Sequence, residues 1–417
     1  MMRYHFQVSL TVVLLFTCSQ PLAAGDWPQI LGQGRDGVAV GENLLASWPA
    51  GGPETSWKHP LGAGYAGVAI ASNRVIVFHR VEDHERVQAL AAATGKVLWQ
   101  TDFEAHYRGG VNADQGPRCV PLVHKNQVYV YGAAGDLHCL RLEDGTKIWS
   151  RASYEDFDGD EGYFGAGSTP IVAGGKLLVN VGGAGNAGLV AFDLLTGKTL
   201  WQATAEAASY SSPTLATIAG REHAVFVTRM NAIAVDPANG KTAFQFPFGK
   251  RGPTVNAATP LVIGNKLFVT ASYQVGARTV QFGAGSKLTD LWASDDIISS
   301  QYSTAVHNKG HLYGFHGRED IGRGSLRCVE MATGKIKWSE EGLPVGHVIR
   351  SNDLLLVLSV EGGLSLVRAL PGKYEKLAEA TISEGTTRAI PALSNGRLLI
   401  RTSGSGRGLL SCLKVGQ

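Results

Sequence analysis

The residues whose types and spacing could do chemistry are few. Asp156, Asp158 and Asp160 alternate along Asp156-Phe157-Asp158-Gly159-Asp160-Glu161-Gly162. Such spacing offers oxygens at positions 1, 3 and 5 of a calcium loop. Glu161 stands where that loop needs glycine, and Gly167 where it needs a bidentate glutamate. The three aspartates are therefore metal candidates inside what reads mainly as an acidic surface loop. Gly62-Ala63-Gly64-Tyr65-Ala66-Gly67 fits the spacing of a dinucleotide loop, but no helical pattern follows to receive a phosphate. Ser403–Gly408 reads as a hairpin loop. His79, His84, His316 and His347 lack metal-ligand spacing. There is no Cys-x-x-Cys-His for a haem. The sequence supports neither a Ser-His-Asp arrangement nor a pair of catalytic carboxylates.

What must position any site is clearer. Of 417 residues, 53 are glycine, about twice the usual share, and only 18% are charged. The net charge of +3 is too balanced for a general nucleic-acid binder. One unit recurs: Ala93-Thr94-Gly95-Lys96-Val97-Leu98-Trp99, Thr196-Gly197-Lys198-Thr199-Leu200-Trp201 and Thr333-Gly334-Lys335-Ile336-Lys337-Trp338 are three copies. The anchors at 57, 99, 149, 201, 244, 292, 338 and 377 stand 39 to 52 residues apart. Between anchors lie short β-rich runs separated by glycine or polar turns, without a sustained helical period. A repeat of that length holding four strands is a propeller blade.

The strand count predicts closure. Eight inner three-strand units begin near residues 66, 119, 168, 212, 258, 303, 346 and 389. The last has no outer strand after it, and the strand around Trp57 has none before it. The two should complete one blade. The expected fold is all-β: an eight-bladed propeller of four-stranded antiparallel blades over 56–417, its ring closed by an N-terminal outer strand, after a leader at 25–55. Each anchor tryptophan should fill the gap between successive blades. Cys139, Cys328 and Cys412 take the place of alanine on third strands and read as small buried filler. Cys119 starts an inner strand near the channel and could be a free thiol.

The unit Ala191-Phe192-Asp193-Leu194-Leu195-Thr196-Gly197-Lys198-Thr199-Leu200-Trp201 resembles the repeat of the pyrroloquinoline-quinone (PQQ)-like propellers. That superfamily holds quinoprotein alcohol dehydrogenases and the non-catalytic assembly factor BamB. Asp26-Trp27-Pro28-Gln29 looks like the leader of its exported members. The resemblance implies two functions. One is a protein- or peptide-binding scaffold in the bacterial cell envelope, BamB-like, monomeric and without cofactor. The alternative is a PQQ- and calcium-dependent dehydrogenase of alcohols or sugars. Such enzymes seat PQQ over a tryptophan beside an adjacent cysteine pair; this chain has no such pair, and its propeller tryptophans are used as anchors. Loops leaving outer strands and joining second to third strands should share one face. Its candidate binding residues are Arg108, Arg118, Tyr163, Arg251, Tyr273, Arg278, Tyr302, His316 and Arg318. A carbohydrate-binding ring, a third option, would need exposed aromatics at the channel mouth, with Tyr107, Tyr163, Tyr273 and Tyr302 as candidates.

Residues 1–24 read as an export signal. Arg3 and His5 precede the apolar run Val8–Cys18, and Leu22-Ala23-Ala24 offers a cleavage site. Phe16-Thr17 before Cys18 makes a poor lipidation motif, so no lipid anchor is expected. The mature chain should have no membrane-spanning segment, and its expected place is the periplasm or the exterior.

Overall fold

The computed structural model describes residues 25–417 except 284, 286, 405 and 406. The export segment therefore lies outside the described residues, as does the tip of the Ser403–Gly408 run. The strands on either side of that tip pair with each other up to Gly404 and Arg407. Strands form eight separate four-stranded antiparallel sheets, each ordered first, second, third, outer. Blade 1 is typical: Ala69–Ala71, Arg74–Val81, His84–Ala91 and Val97–Glu104. Blades 2 to 7 follow in sequence from Leu122 to Thr381. Blade 8 takes Ala392–Ser394, Arg397–Gly404 and Arg407–Lys414 from the C-terminus and its outer strand, Glu54–Gly62, from the N-terminus. Trp57 pairs with Cys412 across that joint. The expected ring closure is thus observed, and it leaves no end blade without a neighbour.

The hydrophobic core is a series of layers between neighbouring blades. One layer joins Ala69, Ile76, Phe78 and Ala89 of blade 1 to Val128, Val130 and Leu140 of blade 2. The repeated unit makes these layers regular. Across the strand pair, Trp99, Trp149, Trp201 and Trp338 face Ala89, Cys139, Ala191 and Cys328, beside a bulge. A small side chain is needed there, which is why cysteine and alanine exchange. Each indole then donates to a turn carbonyl of the next blade: Trp57 to Ala92, Trp99 to Leu142 and Trp149 to Leu194, all at 3.0 Å. Trp201, Trp292 and Trp338 do likewise with Pro237, Met331 and Leu370. The ring lies against the turn glycine of that blade: a Cβ on Gly197 would come 2.7 Å from the Trp149 ring.

Hydroxyls at the starts of inner strands tie the blades together nearer the axis. Ser168 donates to the Ser211 carbonyl (2.8 Å) and Ser211 to that of Ala258 (2.7 Å). Cys119 holds the like position, buried, with only a long contact from its sulfur to the Ala166 carbonyl (3.6 Å). Burial pushes its thiol well above the usual range. All four described cysteines are unpaired and buried.

The leader crosses the end of the ring where inner strands turn into second strands. Trp27 pairs with Ile70 of blade 1, Val38 with Arg350 of blade 7, and Leu44 with Gly416. Between them the buried Arg35 reaches into the ring and donates to the carbonyls of Thr169 (3.2 Å), Pro213 (2.9 Å) and Pro170. This end of the channel is covered. The opposite end is open.

Candidate functional site

The open end is a funnel of about 410 Å³ at the starts of the inner strands. Its residues come from a register rule. Tyr65, Arg118, Gly167, Tyr210, Ala257, Tyr302 and Arg388 each stand four positions before the first strand of their blade, and all line the mouth. Gly167 and Ala257 are small, with Tyr210 between them; the other two tyrosines and the two arginines come from the remaining blades. Phe164 and Tyr273 complete an aromatic wall.

The wall is held rigidly. The Tyr210 hydroxyl accepts the backbone amides of Tyr163 and Phe164, both at 3.0 Å, which fixes its ring. That ring covers Gly167, where a Cβ would approach within 2.5 Å. Phe164 meets Tyr210 edge-on at 5.4 Å. Tyr273 takes a hydrogen bond from Gln301 (3.0 Å) and carries the Arg318 guanidinium over its ring at 4.2 Å. Tyr65 lies between two cations, Arg388 at 5.1 Å and Arg118 at 6.0 Å from its centroid.

The charges cancel in pairs. Arg388 grips Glu319 with two bonds, at 2.6 and 2.9 Å, and Tyr302 donates to the same carboxylate at 3.0 Å. Burial and the Glu319 carboxylate push the Tyr302 phenol well above the usual range. Arg318 pairs with Asp320, holding that carboxyl below its ordinary value. Arg118 is anchored to its own loop through the Asp114 carbonyl (2.6 Å) and lies 3.8 Å from the Asp114 carboxylate.

Of the residues expected on this face, the structure brings Arg118, Tyr273 and Tyr302 to the mouth, with Arg318 stacked behind Tyr273. The others do not converge. Tyr163 is exposed beside Phe164. Arg108 is exposed near Asp83 (3.7 Å), and Arg251 is exposed in its loop. Arg278 lies on a third strand, Gly276–Phe282, pairs with Asp290 (2.6 Å) and lines a groove on the side of the ring. His316 accepts the Ser299 amide (3.1 Å) and is half-buried. Tyr107 is buried under Arg118. The metal candidates are not brought together. Asp156 ends up in a short helix, Ser153–Phe157, bonded to Arg151 (2.7 Å). Asp158 caps that helix in the left-handed region, and Asp160 accepts the Gly162 amide (2.5 Å). Among the described residues no three His, Cys, Asp or Glu side chains converge as a metal site. Sequence reasoning missed Tyr65, Phe164, Tyr210, Glu319's partner Arg388, and the leader's Arg35. The position four before each inner strand is the signal that could have found Tyr65, Tyr210 and Arg388.

Comparison with known proteins gives two directions. A family model described as outer membrane protein assembly factor BamB matches residues 83–340. The dehydrogenase subunit of the quinone alcohol dehydrogenase of Gluconobacter oxydans (strain 621H) is 31% identical over 160 residues, 35% of this chain; the match spans 20% of that relative's length. BamB from Moraxella catarrhalis superposes with a TM-score of 0.58 at 17% identity, over 85% of this chain and 96% of its own. The quinohemoprotein alcohol dehydrogenase of Comamonas testosteroni gives 0.68 at 14%, over 94% and 81%. At such identities the superpositions speak for the fold alone.

Proposed function

This chain belongs to the outer membrane protein assembly factor BamB family, and from that premise we propose that it is an exported, non-catalytic propeller that docks a protein or peptide partner in the cell envelope. The observation that carries the reading is the pairing of the mouth's charges. Glu319 and Asp320 are each balanced by an arginine, Arg388 and Arg318, which weakens both as seats for a cation. The residues at the mouth also fit PQQ with calcium poorly. That group needs several uncommitted oxygen donors and a flat ring seat. Six tryptophans are committed to blade seams by their indole hydrogen bonds, and the aromatic lining is tyrosine and phenylalanine.

The docking surface is the loop rim around the mouth, where Val111 and Ile321 are 74% and 68% exposed. These two side chains offer a partner apolar area at the rim. The outer strands of blades 1 to 3 add exposed Leu98, Ile148 and Leu200 along edges open to strand addition.

The test has two arms. A photo-crosslinking residue at Val111 or Ile321 should form an adduct with an envelope protein in cells, and one on the leader face at Lys125 should not. The purified chain given PQQ and Ca²⁺ should reduce no dye with alcohols or sugars; turnover would replace this reading with the dehydrogenase one.

A further inference from the structure

The geometry points to a second, small-molecule role for the funnel itself: a binding site for a neutral saccharide. This goes beyond protein docking, which uses the rim rather than the cavity. Three features carry it. The first is shape. The leader covers one end of the channel, so the funnel is a blind pocket, and its 410 Å³ lies within the range of small-ligand sites. A blind pocket suits a short ligand or a chain end, not a through-running strand.

The second is the wall. Tyr65, Phe164, Tyr210, Tyr273 and Tyr302 bring five half-buried rings to one cavity. The negative faces of such rings attract the weakly positive C–H edges that a pyranose presents on its apolar side. The rings are locked before any ligand arrives: Tyr210 by two amides, Tyr273 by Gln301, Tyr302 by Glu319. Little ordering is left to oppose binding.

The third is charge. Arg118 with Asp114, Arg388 with Glu319 and Arg318 with Asp320 are three ion pairs in or beside one mouth. With each charge balanced by its partner, these pairs offer an anionic or cationic ligand no net charge to meet. A hydroxyl-rich neutral ring can still bond to them, because each paired carboxylate keeps spare lone pairs and each guanidinium spare N–H groups. Asn112 adds an amide whose oxygen is already taken by the Asp114 amide (2.8 Å), which orients its NH₂ as the donor on offer. Planar polar groups beside aromatic platforms are what discriminates sugar hydroxyls by direction. A purely apolar peptide side chain would leave these groups unsolvated and unpaired, at a cost.

The test uses the full mature chain and saturation-transfer NMR. The probes are glucose, N-acetylglucosamine, their β-linked disaccharides, and the tripeptide Gly-Phe-Gly. At least one saccharide should receive saturation at millimolar concentration. Its half-saturation should rise about tenfold in Tyr273→Ala and in Asn112→Ala, each checked for an unchanged melting temperature. Arg278→Ala, in the lateral groove, should leave it unchanged. If no saccharide receives saturation, or if only Gly-Phe-Gly does, the inference falls, and in the latter case the funnel takes an aromatic peptide side chain. If sugar binding is equal in Tyr273→Ala and wild type, the site lies elsewhere. Crosslinking at Val111 and Ile321 is scored separately, so failure of one reading does not imply failure of the other.

Discussion

Glu85 is an acid placed where an acid is hard to ionise. It stands on the third strand of blade 1, 3% exposed, and accepts the Ala133 amide of blade 2 at 3.0 Å. Burial pushes its carboxyl up to about 7, with Asp136 adding to the rise and the Ala133 amide opposing it. Between the unfolded value near 4.5 and that figure, the folded chain keeps a proton the unfolded chain has lost. Stability is therefore fully present below about pH 4.5 and declines as pH rises toward 7, by a total of order 3 kcal/mol. The buried His79 and His347, pulled down to about 4, act oppositely: they withdraw stability as pH falls below 6.5. Glu85→Gln removes one contribution and leaves the other. Urea midpoints measured across this window should fall with rising pH in the wild type less the histidine trend, and the variant's curve should lack that fall. A second residue-scale test concerns the seam glycine. Gly197 has a φ of +68° and the Trp149 ring on its Cβ position; Gly175, at +72°, has open space there. Alanine at either costs about 1 kcal/mol of backbone strain. At Gly197 it should cost about 1–3 kcal/mol more, because the indole must move. Equal losses in chemical unfolding would mean that the tryptophan seam is soft.

The leader is an element without regular structure that nonetheless closes one end of the ring. Its Arg35 is buried with carbonyl partners and no carboxylate, and burial pulls the guanidinium down to about 9. Removing the head spares that desolvation but strips three buried carbonyls of a charged donor. Because hydrogen bonds to charged groups contribute about 1.5–3 kcal/mol each, the loss should win. Arg35→Met is expected to lower stability by about 2 kcal/mol and to make the leader a preferred cleavage site in limited proteolysis. Unchanged protection would show the leader to be held by its strand bridges alone. This element also marks where the sequence stops being legible. The blades could be read because the Gly-Lys-aromatic unit repeats a steric need, a positive-φ turn under an indole, at every seam. The leader occurs once, and the reach of Arg35 to Pro213 depends on ring curvature that no local pattern records. The mouth falls between these cases. Its loops were placeable from topology, so Arg118, Tyr273 and Tyr302 were found. Arg278 was misplaced because the turn before it ends at Gly276, setting Arg278 on the strand. Tyr65 and Arg388 stand in unpatterned approach segments, visible only once all inner strands are aligned.

For the ring as a whole, stability depends on its weakest seam, since a closed propeller opens at one junction before it unravels. Six seams have a tryptophan donating across them. The seam between blades 4 and 5 has Phe244, stacked at 6.2 Å from Phe282, and that between 7 and 8 has only Leu377. Leucine has no donor to offer the next turn, so beyond the apolar layer of Leu356, Leu358, Leu366, Leu393 and Leu399 this seam takes its polar tie from another element. Glu42 of the leader supplies it. Its buried carboxylate accepts the amides of Asn395 (2.5 Å) and Gly396 (2.7 Å) on blade 8, while its carbonyl accepts Ser351 (2.7 Å) and Asn352 (3.1 Å) of blade 7. Hydrogen bonds from backbone amides to a carboxylate contribute about 1.5–3 kcal/mol each. Glu42→Ala should therefore destabilise the ring by about 3 kcal/mol, and it should do so locally. Amide exchange in Lys376–Thr381 and Ala392–Ser394 should accelerate well before exchange in blades 2 and 3, whose seams keep their indoles. Uniform acceleration around the ring would instead mean that the propeller opens cooperatively and that no single junction governs its stability.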